Sequence, residues 1–326
     1  MSGPRPSGPW GAARAAPPPP PLARAPRIEG GLKPRLVLVT RRTELELLLA
    51  RHGTRGQAAF VLSRREQSIE PLEHRHRLQE TAVAAARRAL PDEWSLAEVE
   101  RGDLDRFLFA PGDVVVALGQ DGLVANLAKY AAGRPVIGAA PDPSATEGVL
   151  TPLSVAALPG LLPAVAAGEA RIERRAMVEA RLDDGQRLVA LNELFVGHRS
   201  HQSARYDLAF DGRRETQSSS GLIVATGTGL TGWARSILQA TARQVEIAAH
   251  ERRAVFLARE PWPSRTTGTE LALGLVQEGR ALSVVSRMDE GGVIFADGIE
   301  TDHLRLDWGR EATVGLAEQT LDLVRG

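Results

Sequence analysis

Val114-Val115-Val116-Ala117-Leu118-Gly119-Gln120-Asp121-Gly122 is the stretch whose reading decides the N-terminal fold. A run of apolar and β-branched residues stops at a glycine, a carboxylate and a glycine, and a helical pattern begins at Leu123. A short apolar run bounded by turn residues reads as a strand buried on both faces, as in parallel sheets. A strand that enters a helix through a tight glycine turn aims backbone N–H groups and the positive helix end at one point. That is an anion site, most often for phosphate. Asp121 in such a turn either handles a proton beside the phosphates or only caps the helix.

The flanking sequence supports the same layer. Residues 35–40 read as a strand, 43–52 as a helix with Thr43 as N-cap, 70–90 as a long helix, 94–99 as a strand and 103–109 as a short helix. A helix over 123–132 and a strand over 135–138 complete the pattern. Strands alternating with helices predict an α/β nucleotide-binding domain over 34–150, built on a parallel sheet. Ligands of such sheets sit beyond the C-terminal strand ends, where Asp121 lies. After Leu150 and a helix over 158–167, strands dominate. Asp183-Asp184-Gly185 and Asp211-Gly212 mark hairpin turns. The reading is a β-rich, sandwich-like domain over 151–310, interrupted by one helical segment at 228–250 and closed by a helical tail over 311–326.

The 326 residues carry 40 basic and 40 acidic side chains, which gives no nucleic-acid footprint. Lys33 and Lys129 are the only lysines, and no Gly-Lys-Ser/Thr loop exists, so the P-loop class is excluded. The absence of cysteine removes disulfides, thiolate nucleophiles and cysteine metal sites, and it fits a cytoplasmic protein. No apolar run is long enough to span a membrane. Residues 1–33, with Pro17 to Pro21 and an acid-free, arginine-bearing start, read as a disordered extension.

Three further motifs lie in the second half. Asn192-Glu193 sits in an apolar strand, where an amide beside a carboxylate needs partners if buried, or faces water at a sheet edge. Thr226-Gly227-Thr228-Gly229-Leu230-Thr231-Gly232-Trp233 follows a strand and precedes a helix, offering hydroxyls and N–H donors and then an aromatic surface. Asp297-Gly298 follows a short strand and by itself reads as a hairpin turn. His74, His76, His198 and His201 lack a matching set of donors and read as surface histidines rather than metal ligands.

Together these motifs resemble the NAD kinase family, from about Leu36 onward. Gly119-Gln120-Asp121-Gly122 corresponds to the family's glycine-glycine-aspartate-glycine turn, Asn192-Glu193 to its asparagine-glutamate pair, and Thr226 through Trp233 to its threonine-rich turn. Ala190-Leu-Asn-Glu-Leu-Phe-Val-Gly197, Ser219-Ser-Gly-Leu222 and Arg259-Glu-Pro261 are closest in wording to the mitochondrial-type branch and its bacterial relatives.

The resemblance implies an α/β domain followed by a β-sandwich, with the active site between them. It implies transfer of the terminal phosphoryl group of ATP, or polyphosphate, to the 2′-hydroxyl of NAD's adenosine ribose, with substrate-bound Mg²⁺, in a homodimer or homotetramer. Asp121 would take the hydroxyl proton. Gly119, Gln120, Gly122 and the Thr226, Gly227, Thr228, Gly229 turn would face the donor phosphates. Asn192, Glu193, Thr231, Gly232 and Trp233 would hold NAD.

Gln120 replaces the second glycine of the family turn, and Leu123 replaces a hydroxyl residue. If position 120 needs φ > 0, glutamine costs roughly 1–2 kcal/mol there. These departures keep two alternatives open: a catalytically impaired NAD-binding paralogue, or a lipid or sugar kinase that shares the glycine-aspartate turn.

Overall fold

The computed structural model describes residues 20–28, 34–131, 133–145 and 148–326. The first half runs β1 (Leu22–Arg24), β2 (Arg35–Thr40), α1 (Glu44–His52), α2 (Arg55–Ser63), α3 (Glu70–Arg88), β3 (Ser95–Glu100), β4 (Asp113–Leu118), α4 (Asp121–Ala128), β5 (Pro135–Ala140), β6 (Leu153–Ser154) and α5 (Leu158–Ala166). The second half runs β7 (Arg171–Leu182), β8 (Arg187–Ala190), β9 (Glu193–His198), β10 (Ala204–Phe210), β11 (Arg213–Ser219), β12 (Leu222–Thr226), α6 (Trp233–Ala240) and β13 (Arg253–Ala258). It ends with β14 (Leu273–Gln277), β15 (Leu282–Ser286), β16 (Gly292–Ala296), β17 (Ile299–Arg305) and β18 (Glu311–Arg325).

Four of these strands pair in parallel in the order β3-β2-β4-β5. Leu36, Leu38, Val114 and Val116 pack with Ala82 and Ala86 of α3 and Leu158 and Leu162 of α5. Val37, Val39, Val115 and Ala117 pack with α4 on the other face. Cover on both faces is why these strands read as continuous apolar runs. This α/β layer extends past residue 150, because β6 pairs with β5 and α5 packs on the same sheet.

The second half is a sandwich of two antiparallel sheets. One has the order β14-β13-β12-β9-β16-β17, and the other contains β11-β10-β15-β18 with β7 and β8. Val196, Val224 and Phe256 from the first meet Tyr206, Leu208, Val284 and Val314 from the second in one core.

The end of the chain differs from the expected helical tail over 311–326. It is strand β18, antiparallel to β15 and β7 and parallel to β5, so it joins both halves in a 12-stranded sheet. Ala312 and Val314 enter the sandwich core, and Leu321 and Leu323 enter the α/β core, at the two-residue period of a strand. The register breaks between Leu316 and Thr320, which puts Leu316, Ala317, Leu321 and Val324 at helix-like spacing in the sequence.

The extension 1–33 is also corrected over its described part. β1 pairs antiparallel with β7, Leu22 opposite Glu173 and Arg24 opposite Arg171, and Ala25 is buried. An open strand edge offers main-chain partners to a segment whose composition gives no core of its own. Residues 1–19 and 29–33 lie outside the described residues. The expected helix over 228–250 shrinks to α6, which stops at Thr241 where Ala242 takes φ 53°. The helix expected over 103–109 is a single 3₁₀ turn, Arg101–Asp103.

Candidate functional site

β4 is wholly buried and delivers its C-terminal end into Gly119-Gln120, from which α4 starts at Asp121. Gln120 has φ −106° and ψ 165°, an extended conformation open to any residue. The strain considered for a glutamine at this position is therefore absent, and Gln120 is exposed. A Cβ on Gly122 would meet no atom within 4 Å, so open space lies beside the first turn of α4.

The Asp121 carboxylate accepts from four donors. Its Oδ2 accepts from the Val149 N–H at 2.9 Å, and its Oδ1 accepts from the N–H groups of Leu150 and Thr151 and from the Thr151 hydroxyl at 3.0, 2.9 and 2.8 Å. Three donors converge on Oδ1 and one on Oδ2, so Oδ2 keeps a lone pair for a further donor. In this state Asp121 fastens the 149–151 segment to the start of α4.

Asn192 sits between β8 and β9, and Glu193 opens β9. Their backbone is held by Asp297. Its carboxylate accepts from the N–H groups of Leu191, Asn192 and Glu193 at 3.0, 2.7 and 3.4 Å, while its own N–H donates to the Glu193 carbonyl at 3.1 Å. Asp297-Gly298 is a hairpin turn, with φ 50° and 72°, and it is also the clamp of the asparagine-glutamate pair. Burial pushes the Glu193 carboxyl up to about 7, with the Asp297 charge adding to it. Burial likewise raises Asp297 to about 6 against the pull of its three N–H donors.

The threonine-rich turn follows β12 and is built around Thr226. Its hydroxyl donates to the Leu191 carbonyl at 2.6 Å and accepts from the N–H groups of Thr228 and Gly229 at 3.1 and 3.3 Å. A Cβ on Gly229 would lie 2.2 Å from the Asn192 carbonyl oxygen, so only glycine lets the turn close on the Asn192 backbone. The Thr231 hydroxyl donates back to the Thr228 carbonyl at 2.9 Å. Thr226 and Thr231 thus brace the turn rather than present free hydroxyls, while Thr231 and Gly232 are exposed at its tip.

Arg175, on β7, joins these pieces and was not singled out in the sequence. It is 3% exposed, with Nη1 3.4 Å from the Thr228 hydroxyl and Nη2 3.5 Å from the Val149 carbonyl. Glu173 faces it two residues away, and also pairs with Arg325. Burial pulls the Arg175 guanidinium below its ordinary value, and its Nε finds no hydrogen-bond acceptor. The signal was an acid and a base at i and i+2 on one face of a strand, with Met177 continuing that buried face. From the other side, Asn126 on α4 donates to the Asp297 carbonyl at 3.3 Å, and Lys129 pairs with Asp302 on β17. The structure thus brings Asp121, Asn192-Glu193 and the Thr226–Gly229 turn into one bonded assembly.

Trp233 begins α6 beside that assembly. It stacks on Phe195 at 6.0 Å between ring centres, with the Arg259 guanidinium 5.1 Å from its ring. A cavity of about 700 Å³ opens over this face, and His198 and His201 line it. His76 bonds the Thr43 hydroxyl through Nδ1 at 3.0 Å. Among the described residues no three of His, Asp or Glu gather as a metal site.

No family model matches the chain. It is 36% identical over 136 residues to an NAD kinase of Burkholderia lata, a match covering 39% of this chain and 44% of that protein. It is 28% identical over 270 residues to the mitochondrial NAD kinase 2 of Rattus norvegicus, covering 67% and 64%. The alignment thus spans less than half the length of the bacterial relative. Among solved structures, a yeast NADH kinase complexed with NADH superposes with a TM-score of 0.56 at 16% identity, over 96% of this chain and 88% of that one. An Archaeoglobus fulgidus NAD kinase in complex with ATP gives 0.55 at 19%, over 89% and 93%. The expected architecture, an α/β layer followed by a β-sandwich, is therefore that of these kinases. By sequence the chain is similar to NAD kinases over part of its length, and its fold is that of the solved NAD and NADH kinases.

Proposed function

We propose that this protein is an NAD kinase, transferring the terminal phosphoryl group of ATP or polyphosphate to the 2′-hydroxyl of NAD's adenosine ribose. The observation that carries this reading is the bonded assembly of the Asp121 turn, Asn192-Glu193 and the Thr226–Gly229 turn, held by Arg175 on one side and Asp297 on the other. It supports one reaction centre made from both halves of the chain.

In the reaction, the donor phosphates lie against Gly119, Gln120 and Gly122 at the positive end of α4, and Arg175 adds a buried cation facing the threonine turn. NAD lies against Asn192, Glu193, Thr231 and Gly232, with Trp233 as the stacking surface for its adenine. The ribose hydroxyl uses the lone pair left on Oδ2 of Asp121, gives its proton to that carboxylate and attacks the terminal phosphorus in line, and the nucleoside diphosphate leaves. Mg²⁺ bound with the donor phosphates would supply charge neutralisation there. A hard cation of this kind keeps its waters and asks few oxygens of the protein, which fits a turn offering the single carboxylate of Asp121. The protein acts in the cytoplasm as a homodimer or homotetramer.

The hold of the 149–151 segment on Asp121 favours one second reading, an NAD-binding paralogue that does not turn over. Incubating the protein with NAD, ATP and Mg²⁺ and assaying NADP⁺ tests both. Steady NADP⁺ formation is expected. NAD binding without NADP⁺ would support the paralogue, and phosphorylation of a lipid or sugar alcohol in place of NAD would replace the dinucleotide reading.

A further inference from the structure

Two guanidiniums share one carboxylate beside the Thr226–Gly229 turn. Glu173 and Arg175 lie on one face of β7. In the antiparallel neighbour β18, Leu323 stands opposite Glu173, so Arg325 reaches the same carboxylate on the diagonal. Arg325 donates to Glu173 Oε2 through Nε at 2.7 Å and also through Nη2. Arg175 is held less closely, with Nη2 3.4 Å from the same Oε2 and Nε 3.3 Å from Oε1. The Glu173 and Arg175 side chains are both buried, and β1 lies along this stretch of β7 with Leu22 opposite Glu173.

The charges do not balance. A guanidinium stays protonated in a protein, so two cations against one carboxylate leave one positive charge in surplus. Arg174, the next residue of β7, is paired with Asp322 and adds none. The surplus points at the site through Arg175, which reaches the Thr228 hydroxyl at 3.4 Å and the Val149 carbonyl at 3.5 Å, while the Val149 N–H is bonded to Asp121. These contacts of Arg175 are long for a charged donor, and its Nε makes no hydrogen bond. Arg325 therefore takes the nearer share of Glu173 and leaves Arg175 under-neutralised. Desolvation makes a buried ion cluster a weak source of stability. A fixed charge in a water-poor site, by contrast, acts strongly on charge that develops during reaction.

We infer that Arg325 is a positioning residue of the reaction, which draws Glu173 away from Arg175 and so leaves one buried positive charge for the phosphoryl group passing from donor to acceptor. The inference rests on the NAD kinase reading for the identity of that reaction. Anion binding tests it separately, because binding needs no turnover.

The test counts charge. In Arg325→Gln the surplus falls to zero, and in the double variant Glu173→Gln, Arg325→Gln it returns to one, carried by Arg175. NADP⁺ formation and calorimetric titration of inorganic tripolyphosphate with Mg²⁺ are read on both variants and on the unsubstituted protein. In Arg325→Gln, kcat and tripolyphosphate affinity should each fall about tenfold, the size of one charge acting across a partly buried site. The KM for NAD should hold within a few-fold. The double variant should regain most of both losses, and Arg325→Lys, which keeps the charge, should stay near the unsubstituted protein. Were the pair only a tie between β7 and β18, the double variant would be no more active than Arg325→Gln, and that result would overturn the inference. So would an unchanged kcat in Arg325→Gln, or a loss confined to the KM for NAD. If Arg325→Gln does not fold, Glu173→Gln alone decides: its surplus of two should raise tripolyphosphate affinity, and an unchanged or lower affinity would overturn the inference. If no NADP⁺ forms while tripolyphosphate affinity still follows the charge count, the kinase reading fails and the charge assignment stands.

Discussion

Replacing Glu193 by glutamine should change the pH dependence of stability in a direction fixed by its burial. The side chain is 9% exposed at the start of β9, and its carboxyl is raised from 4.5 to about 7 by desolvation and by Asp297. Between pH 4.5 and 7 the unfolded chain releases this proton while the folded chain keeps it. The parent therefore loses stability across that window, and the loss is complete above pH 7. A shift of this size corresponds to about 3 kcal/mol, at 1.36 kcal/mol for each pH unit. Glutamine has the same shape and no charge to bury, so Glu193→Gln escapes the loss. Denaturant titrations of the ligand-free protein at pH 4.5 and pH 8 read the effect. The stability of the variant relative to the parent should rise by about 3 kcal/mol between the two pH values, which heating would register as a melting difference of several degrees. A difference that stays constant with pH, or that moves the other way, would refute the placement of Glu193 as a buried carboxyl beside Asp297.

The remaining expectations are shorter. Asp121→Asn removes the proton acceptor and turns an N–H donor toward the 149–151 segment, so turnover should fall by about a hundredfold or more with NAD still bound, as read by kinetics and by calorimetry. Gln120→Gly relieves no strain, because Gln120 is extended; it should lower stability by about 0.5–1 kcal/mol through the unfolded chain, and a gain in a denaturant titration would contradict the observed backbone. Gly229→Ala puts a Cβ against the Asn192 carbonyl; NAD affinity should drop more than donor affinity, and equal losses would mean the turn serves both substrates alike. A chain shortened to begin at Gly31 loses β1 and its pairing with β7; its melting temperature should fall below that of the full chain, and an unchanged value would show that β1 adds nothing.

The two-layer plan and the turn residues were legible from the order of residues along the chain, since both are local properties. Val114 to Leu118 ending in a glycine turn could hardly be anything but a buried parallel strand entering a helix, because solvent on either face would have demanded alternation. Likewise Asp121, Asn192-Glu193 and Thr226 through Trp233 stood out by their order and spacing together, since each alone is an ordinary set of turn residues at a strand end. What each residue touches was decided only by the tertiary structure. Asp121 meets 149–151, Asp297 meets 191–193 and Arg175 meets Thr228 across 28 to 106 positions of chain, and no local pattern encodes such a distance. The same reason explains the elements that were misread. β1 is a strand because an open sheet edge receives it, a main-chain interaction that does not depend on its own side-chain periodicity. β18, by contrast, alternates within each half, and the register break between Leu316 and Thr320 hides that period in the sequence. Thr226, whose hydroxyl pointed in sequence toward a ligand, spends it on the Leu191 carbonyl, because a turn folded against another strand must satisfy its buried polar groups from within.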